Sequence, residues 1–136
     1  MAEITIQITQ TGESSSLAEI RKHKVAIDRP EAKGGTDKGA MGGELFLAAL
    51  GGCFMSNLLA AIKARGVEAS NLAIEVTGTL DGTPAVFSAA DLKISGNYAD
   101  RQQMEKLVEI ADKGCIMANT VRNTVKLGFT LAHPSV

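Results

Sequence analysis

The sequence predicts one α+β domain over residues 1–136. Segments in both halves of the chain alternate between apolar and polar residues, with the period of a half-buried β-strand. One long apolar stretch, Leu45 to Ile62, has the length of a buried helix. Strands, helices and a last strand follow one another without regular β–α–β alternation, and this order is typical of the α+β class.

The first strand is predicted where Ile4, Ile6 and Ile8 alternate with polar residues. Residues 17–27 predict one or two further strands, and the alternation slips near Ile20-Arg21, which indicates a bulge or bend. Residues 30–43 are rich in Gly, Lys and Asp and form the longest predicted loop.

The long helix is predicted over 43–65, with Gly66 as its stop signal. The uncharged stretch within it approaches the length of a bilayer span. Gly51, Gly52, Ser56 and Asn57 interrupt this stretch, and amphipathic elements flank it. We therefore interpret it as a buried core helix, with a membrane helix as the alternative.

The second half of the chain predicts, in order, strands over 72–80 and 86–94, a helix from Asp100 to Gly114, a short helix over 115–123, and a closing strand at Val125, Leu127, Phe129 and Leu131. A turn signal, residues 81–84, separates the two strands. Asp100, with Gln103 three positions later, resembles a helix cap. The helix after it carries apolar residues with i, i+3, i+4, i+7 spacing.

Composition excludes several function classes. The formal net charge is −1 and charged residues make up 21% of the chain, so nothing favours nucleic acid or an anionic membrane as a partner. Aromatic residues amount to 4%, without Trp, which argues against stacking on bases or sugars. Two cysteines are not a disulfide scaffold, and the first residues lack signal-peptide features. We therefore expect a cytoplasmic protein with reduced thiols.

The two cysteines are the candidates for chemistry. Cys53 lies in the long apolar helix, and Cys115 lies near a predicted helix start, where N–H groups stabilise a thiolate. Their separation fits no short redox motif. One interpretation is that both are small buried hydrophobes, and the other is that the fold brings them together as a redox pair.

Other motifs give weaker indications. His23 and His133 do not stand at the paired spacings of zinc sites, so we expect no metal site. Glycines in 33–35 and 39–43 precede a helix start, which indicates either an anion cradle or a flexible loop. No phosphate-binding motif is present, and Ser56 lacks a nucleophile-elbow context.

The stretch 43–54, GELFLAALGGCF, followed by Cys115, resembles the OsmC/Ohr family of osmotically inducible protein C and the organic hydroperoxide resistance proteins. The approach loop from Asp28 to Gly35 and the capped helix before Cys115 also fit. The resemblance extends over nearly the whole chain and marks it as a single OsmC-like domain.

This resemblance implies an intertwined homodimer, with antiparallel sheets around a long buried central helix and two active sites at the subunit interface. It implies a cysteine-based peroxidase without a cofactor, in which Cys53 is the peroxidatic thiolate and Cys115 the resolving thiol. An external dithiol would recycle the pair. Phe54, Met55 and Leu58 would either favour organic peroxides over hydrogen peroxide or serve only as core packing.

The sequence also departs from the family pattern. The usual Pro-Glu before the helix aligns with Gly42-Gly43, so Glu44, one position later, is the candidate carboxylate. The activating arginine is assigned to Arg21, with Arg29 as the second candidate. These differences predict a divergent branch. The alternatives are a non-catalytic binding module for a small apolar ligand and a structural protein with inert cysteines.

Overall fold

The computed structural model describes residues 1–123 and 125–132. This part of the chain contains five strands, three α-helices and a short 3-10 helix, joined by loops. The elements are β1 (Gln7–Gln10), β2 (Ser16–Ile20), β3 (His23–Ile27), a short 3-10 helix (Glu31–Lys33), α1 (Gly42–Ala64), β4 (Ala69–Asp81), β5 (Val86–Tyr98), α2 (Arg101–Gly114) and α3 (Ile116–Arg122). This order confirms the α+β class. Strands β1, β2 and β3 form one sheet, and β4 and β5 form another.

The chain divides into two compact units, and the division falls within α1, β4 and β5. The first unit contains Met1–Ala49 and Val76–Asp91. The second contains Leu50–Glu75 and the described residues from Leu92 onward.

In the first unit, β1, β2 and β3 form an antiparallel meander in which Thr9 pairs with Leu17 and Ala18 with Val25. Strand β1 begins at Gln7, so it lies later in the chain than the alternation at Ile4 predicted. The slip near Arg21 is the turn between β2 and β3, where Arg21 adopts a left-handed φ of 55°. The predicted bend is therefore a tight hairpin.

Asp28 ties down the loop between β3 and α1. Its side chain, 2% exposed, accepts hydrogen bonds at both carboxylate oxygens. The donors are Ser14 Oγ (2.8 Å), Arg29 N (2.7 Å), Thr36 Oγ1 (2.6 Å), Thr36 N (3.2 Å) and Lys38 N (3.1 Å). These donors, led by Thr36, hold the pKa of Asp28 far below its usual range, although burial opposes them.

The glycines of this loop have a structural explanation. A Cβ on Gly35 would collide with the Arg29 carbonyl, and one on Gly39 with that of Ala26. The backbone N–H groups of Arg29, Thr36 and Lys38 in this loop donate to Asp28. The loop between β3 and α1 thus encloses the chain's own carboxylate. The anion cradle and the flexible loop predicted from the glycines before α1 stay predictions.

Gly78 is required by close packing in the first unit. The Phe87 ring stacks on Phe46 with centroids 5.7 Å apart, and a Cβ on Gly78 would lie 2.6 Å from it. We expect Gly78→Ala to lower the free energy of unfolding by about 1–3 kcal/mol, because the aromatic ring must shift. Gly52→Ala is the control, since a Cβ there meets nothing within 4 Å and alanine favours the helix by up to about 1 kcal/mol. Urea unfolding of both variants measures the difference, and equal stabilities would contradict this packing.

The second unit has its own apolar core. Buried residues of α1 pack with those of α2 and α3, and the cluster consists of Phe54, Leu58, Ala61, Ile62, Met104, Leu107, Ala111, Cys115 and Ala118. Asp100 caps α2 as predicted, accepting a hydrogen bond from Gln103 N at 3.2 Å. Helix α1 has the length and apolar composition of a membrane span, a criterion that core helices of soluble proteins also meet. Its buried residues, from Leu50 to Ile62, all lie in the part of α1 that belongs to the second unit.

The predicted closing strand is wrong. Residues 125–132 contain neither helix nor strand, and Val125, Leu127, Phe129 and Leu131 are 67–99% exposed. Alternation reports a preference for extended structure, but a strand also needs a neighbour to satisfy its backbone hydrogen bonds. No strand of the described part of this chain pairs with the segment.

Candidate functional site

The fold brings Cys53 and Cys115 together. They stand 62 positions apart in the sequence, and their Sγ atoms lie 3.3 Å apart. Both are free thiols. Cys115 is completely buried, whereas Cys53 is half-buried. The pair therefore combines a half-buried cysteine with a completely buried one.

Two different local structures position these thiols. Cys53 lies inside α1, whose helical hydrogen bonds fix its backbone. Cys115 is the extended residue between Gly114, the last residue of α2, and Ile116, the first of α3. As the N-cap of α3, it accepts a hydrogen bond from Ala118 N at 3.4 Å. Capping thus directs the Cys115 side chain.

The two thiols differ in acidity. The backbone N–H of Met117 is the largest influence on Cys53 and lowers its pKa below the ordinary thiol value. Burial opposes this effect, while the Cys115 thiol and the Ile116 N–H add to it. Burial raises the pKa of Cys115, and the neighbouring Cys53 sulfur raises it further. The arrangement therefore favours a thiolate at Cys53 and a protonated thiol at Cys115, whose S–H donates to Cys53 Sγ.

Asn57 also contacts Cys53. Its carboxamide Nδ2 lies 3.0 Å from the Cys53 carbonyl oxygen and 3.9 Å from Cys53 Sγ. Sequence reasoning missed this residue and the N–H donors of Ile116 and Met117. A polar residue four positions after a cysteine in an apolar helix was the available signal for Asn57, because such residues lie one turn apart on the same face. No comparable signal identified the backbone donors.

Phe54 and Leu58 belong to the core of the second unit, where they are 5% and 0% exposed. Met55 is half-buried. Cys53 itself packs against the same core. The surroundings of Cys53 are therefore predominantly apolar.

Arg21, Arg29 and Glu44 belong to the first unit. Arg21 and Arg29 are exposed, at the β2–β3 turn and in the loop after β3. The Glu44 carboxylate accepts a hydrogen bond from Met41 N at 2.9 Å, which is the reciprocal contact of a helix capping box. The structure thus shows a helix-capping role for Glu44. The predicted roles of Arg21 and Glu44 toward Cys53 stay predictions.

Within residues 1–123 and 125–132, no group of three or more His, Cys, Asp and Glu side chains is placed to hold a metal ion. His23 is exposed at the start of β3. His133 lies outside the described residues. The chemistry that the described site offers is that of two thiols and their donors.

Comparison with known proteins relates this chain to one protein family and to several solved structures. The model of the OsmC-like protein family matches residues 35–130. The sequence has no significant match among curated proteins. An OsmC-like protein from Mycoplasma pneumoniae is structurally similar, with a TM-score of 0.72, 20% identity, and coverage of 89% of this chain and 88% of that one.

Two further solved structures are named as organic hydroperoxide resistance proteins. The protein from Elizabethkingia anophelis has a TM-score of 0.63 and 20% identity, with 89% of this chain and 90% of that one covered. OhrB of Bacillus subtilis has a TM-score of 0.63 and 23% identity, with 88% and 91% covered. At these identities the likeness is one of fold.

Proposed function

Because this chain belongs to the OsmC-like protein family, we propose that it is a thiol-dependent peroxidase that reduces organic hydroperoxides to alcohols through Cys53 and Cys115. The observation that carries the proposal is the close approach of the two sulfurs, 3.3 Å apart, with opposite shifts in pKa. The names of the two hydroperoxide resistance proteins support the same chemistry.

In the first step, the Cys53 thiolate attacks one peroxide oxygen. The O–O bond breaks, an S–O bond forms, and the departing alkoxide takes up a proton to leave as the alcohol. Cys53 is thereby oxidised to a sulfenic acid by two electrons. The lowered pKa of Cys53 supports this role, because only the thiolate is nucleophilic and an ordinary thiol is mostly protonated at neutral pH.

In the second step, Cys115 attacks the Cys53 sulfenic acid. An S–S bond forms and the sulfenic oxygen leaves as water, taking up the Cys115 proton. The sulfurs must approach by about 1 Å to reach the bond length of a disulfide. An external dithiol then reduces the Cys53–Cys115 disulfide by thiol–disulfide exchange, and is itself oxidised to a disulfide.

The remaining parts of the proposal rest on the resemblance. Arg21, or Arg29 as the second candidate, would stabilise the Cys53 thiolate, and Glu44 would orient that arginine. The apolar surroundings of Cys53 support a preference for organic peroxides over hydrogen peroxide. We further propose that the protein is a homodimer and that it is cytoplasmic. The cytoplasm is a reducing compartment, which would supply the external dithiol.

A stoichiometric experiment tests the proposal. The reduced protein is treated with one equivalent of an organic hydroperoxide, unfolded in denaturant, and its free thiols are counted. We expect both thiols to disappear, with an intact mass lower by two hydrogens, far faster than free cysteine reacts. Two titratable thiols after prolonged exposure would refute the peroxidase. Cys115→Ser is the matched control, because it cannot form the intramolecular disulfide.

The second candidate is a non-catalytic binding module for a small apolar ligand. A cavity of about 300 Å³ favours it, lined by Ile94, Met104 and Val108 and bordered by the ion pair between Arg101 and Glu105. This cavity contains neither cysteine. Retention of a copurifying apolar ligand by Cys53→Ala, together with thiols inert to peroxide, would establish this alternative.

A further inference from the structure

Asn57 places a carboxamide in an otherwise apolar part of α1. Between Leu45 and Ile62, Ser56 and Asn57 are the residues with hydroxyl or amide side chains. Ser56 is exposed, but Asn57 is half-buried. Asparagine is a weaker helix former than alanine or leucine, so the local helix gains nothing from it. Its position must be explained by what its side chain contacts.

The donor end of the carboxamide faces Cys53. Nδ2 lies 3.0 Å from the Cys53 carbonyl oxygen and 3.9 Å from Cys53 Sγ, which is within reach of a long hydrogen bond to sulfur. The amide carries two N–H groups, so it can donate to both the carbonyl and the sulfur.

The acceptor end of the carboxamide, Oδ1, faces the segment that contains Cys115. A Cβ on Gly114 would lie 3.4 Å from Asn57 Oδ1, so the amide oxygen borders the residue directly before Cys115. Exchanging the two ends would turn the oxygen toward the Cys53 carbonyl and sulfur, which are both acceptors. The contacts therefore fix which end of the amide faces the sulfur.

We propose that Asn57 is a further residue of the reactive centre, whose Nδ2–H donates to Cys53 Sγ and stabilises the negative charge of its thiolate and of the sulfenate that follows. This deepens the proposed function and rests on it. Hydrogen bonds to an anionic acceptor are about twice as strong as those between neutral groups, so the donor is worth most when the sulfur is ionised.

The test measures Cys53 ionisation without using a peroxide. The titratable group that faces Cys53 from the α2–α3 junction is Cys115, and Cys115→Ser removes it while keeping a hydroxyl donor. In this single-thiol background, the rate of alkylation by iodoacetamide is followed against pH. Asn57→Leu removes the amide but keeps the branching and the number of heavy atoms of the side chain, and Ser56→Ala is the exposed neighbouring control.

We expect Asn57→Leu to slow alkylation about three- to tenfold at neutral pH and to leave the limiting rate at high pH unchanged. Ser56→Ala should follow the parent curve. A purely structural role would not displace the pH midpoint, so an Asn57→Leu profile identical to that of the parent would overturn the inference.

Asn57→Asp provides a second measurement if the leucine variant does not fold. Its carboxylate lacks N–H donors and adds a negative charge, so the alkylation midpoint must move upward, and an unchanged midpoint would also overturn the inference. The two proposals remain distinguishable. A displaced midpoint in a protein inert to hydroperoxide refutes the peroxidase alone, whereas peroxide turnover with an unchanged midpoint refutes the role of Asn57 alone.

Discussion

Cys53→Ser should lower the rate of hydroperoxide consumption by at least about 10³-fold, to that of the buffer. Serine keeps the size of the side chain but removes the nucleophilic thiolate that the Met117 N–H and the Cys115 thiol stabilise. The rate is measured by peroxide loss with excess dithiol. Ser56→Ala, in the same helix turn and exposed, should keep the parental rate.

Cys115→Ser should keep the first oxidation step but lose the formation of the disulfide. Cys53 still reacts with the first equivalent of peroxide, but its sulfenic acid has no buried thiol partner and accumulates, so that dimedone traps it and excess peroxide oxidises it to the sulfinic acid. The parent protein should give the disulfide instead. Equal rates for the parent and Cys53→Ser, or a disulfide between two different chains, would refute the assigned roles.

Asp28→Asn should lower the melting temperature on the order of 10 °C. The carboxylate accepts hydrogen bonds from three backbone N–H groups and two hydroxyls, and the amide of asparagine would set N–H against N–H at Thr36 and Lys38. Scanning calorimetry measures the difference. Asp37→Asn, in the same loop, exposed and in a left-handed conformation that asparagine tolerates, should unfold like the parent.

The same carboxylate makes stability depend on acid. Its pKa is lower in the folded chain than in the unfolded chain, where aspartate titrates near pH 4, so its stabilisation is complete above about pH 4. This stabilisation decreases as pH falls toward the folded value. The Asp28→Asn variant should lack that part of the acid dependence, and parallel stability curves for parent and variant would contradict it.

The helices and most strands were predictable because their signals are local. The spacing of Met104, Leu107 and Ala111 and the cap at Asp100 lie within α2 itself. The segment 125–131 carries an equally clear strand pattern, but a strand depends on a hydrogen-bonding neighbour that its own sequence does not supply. The boundary of β1 was misplaced for the same reason, since pairing with β2 begins at Gln7 and not at Ile4.

The site was predictable in a narrower sense. Spacing alone left Cys53 and Cys115 open between inert core residues and a pair, and the family resemblance decided between them. The Asp28 network was not recognised, because its donors from Ser14 to Lys38 are brought together by folding and not by a motif. The helix-capping contact of Glu44 was also not predicted, although a glutamate in the first turn of a helix is the usual sequence signal for such a contact.

The complete burial of Cys115 beside a half-buried Cys53 has a practical consequence for labelling. We expect a bulky maleimide to label the half-buried Cys53 in the folded, reduced protein in preference to the buried Cys115, so that a single fluorophore is attached per chain without removing a cysteine. Its position four residues from Asn57 on α1 makes it a reporter of the environment of the reactive sulfur. Denaturant then exposes the second thiol, and the increase in labelling measures unfolding at one defined point of the core.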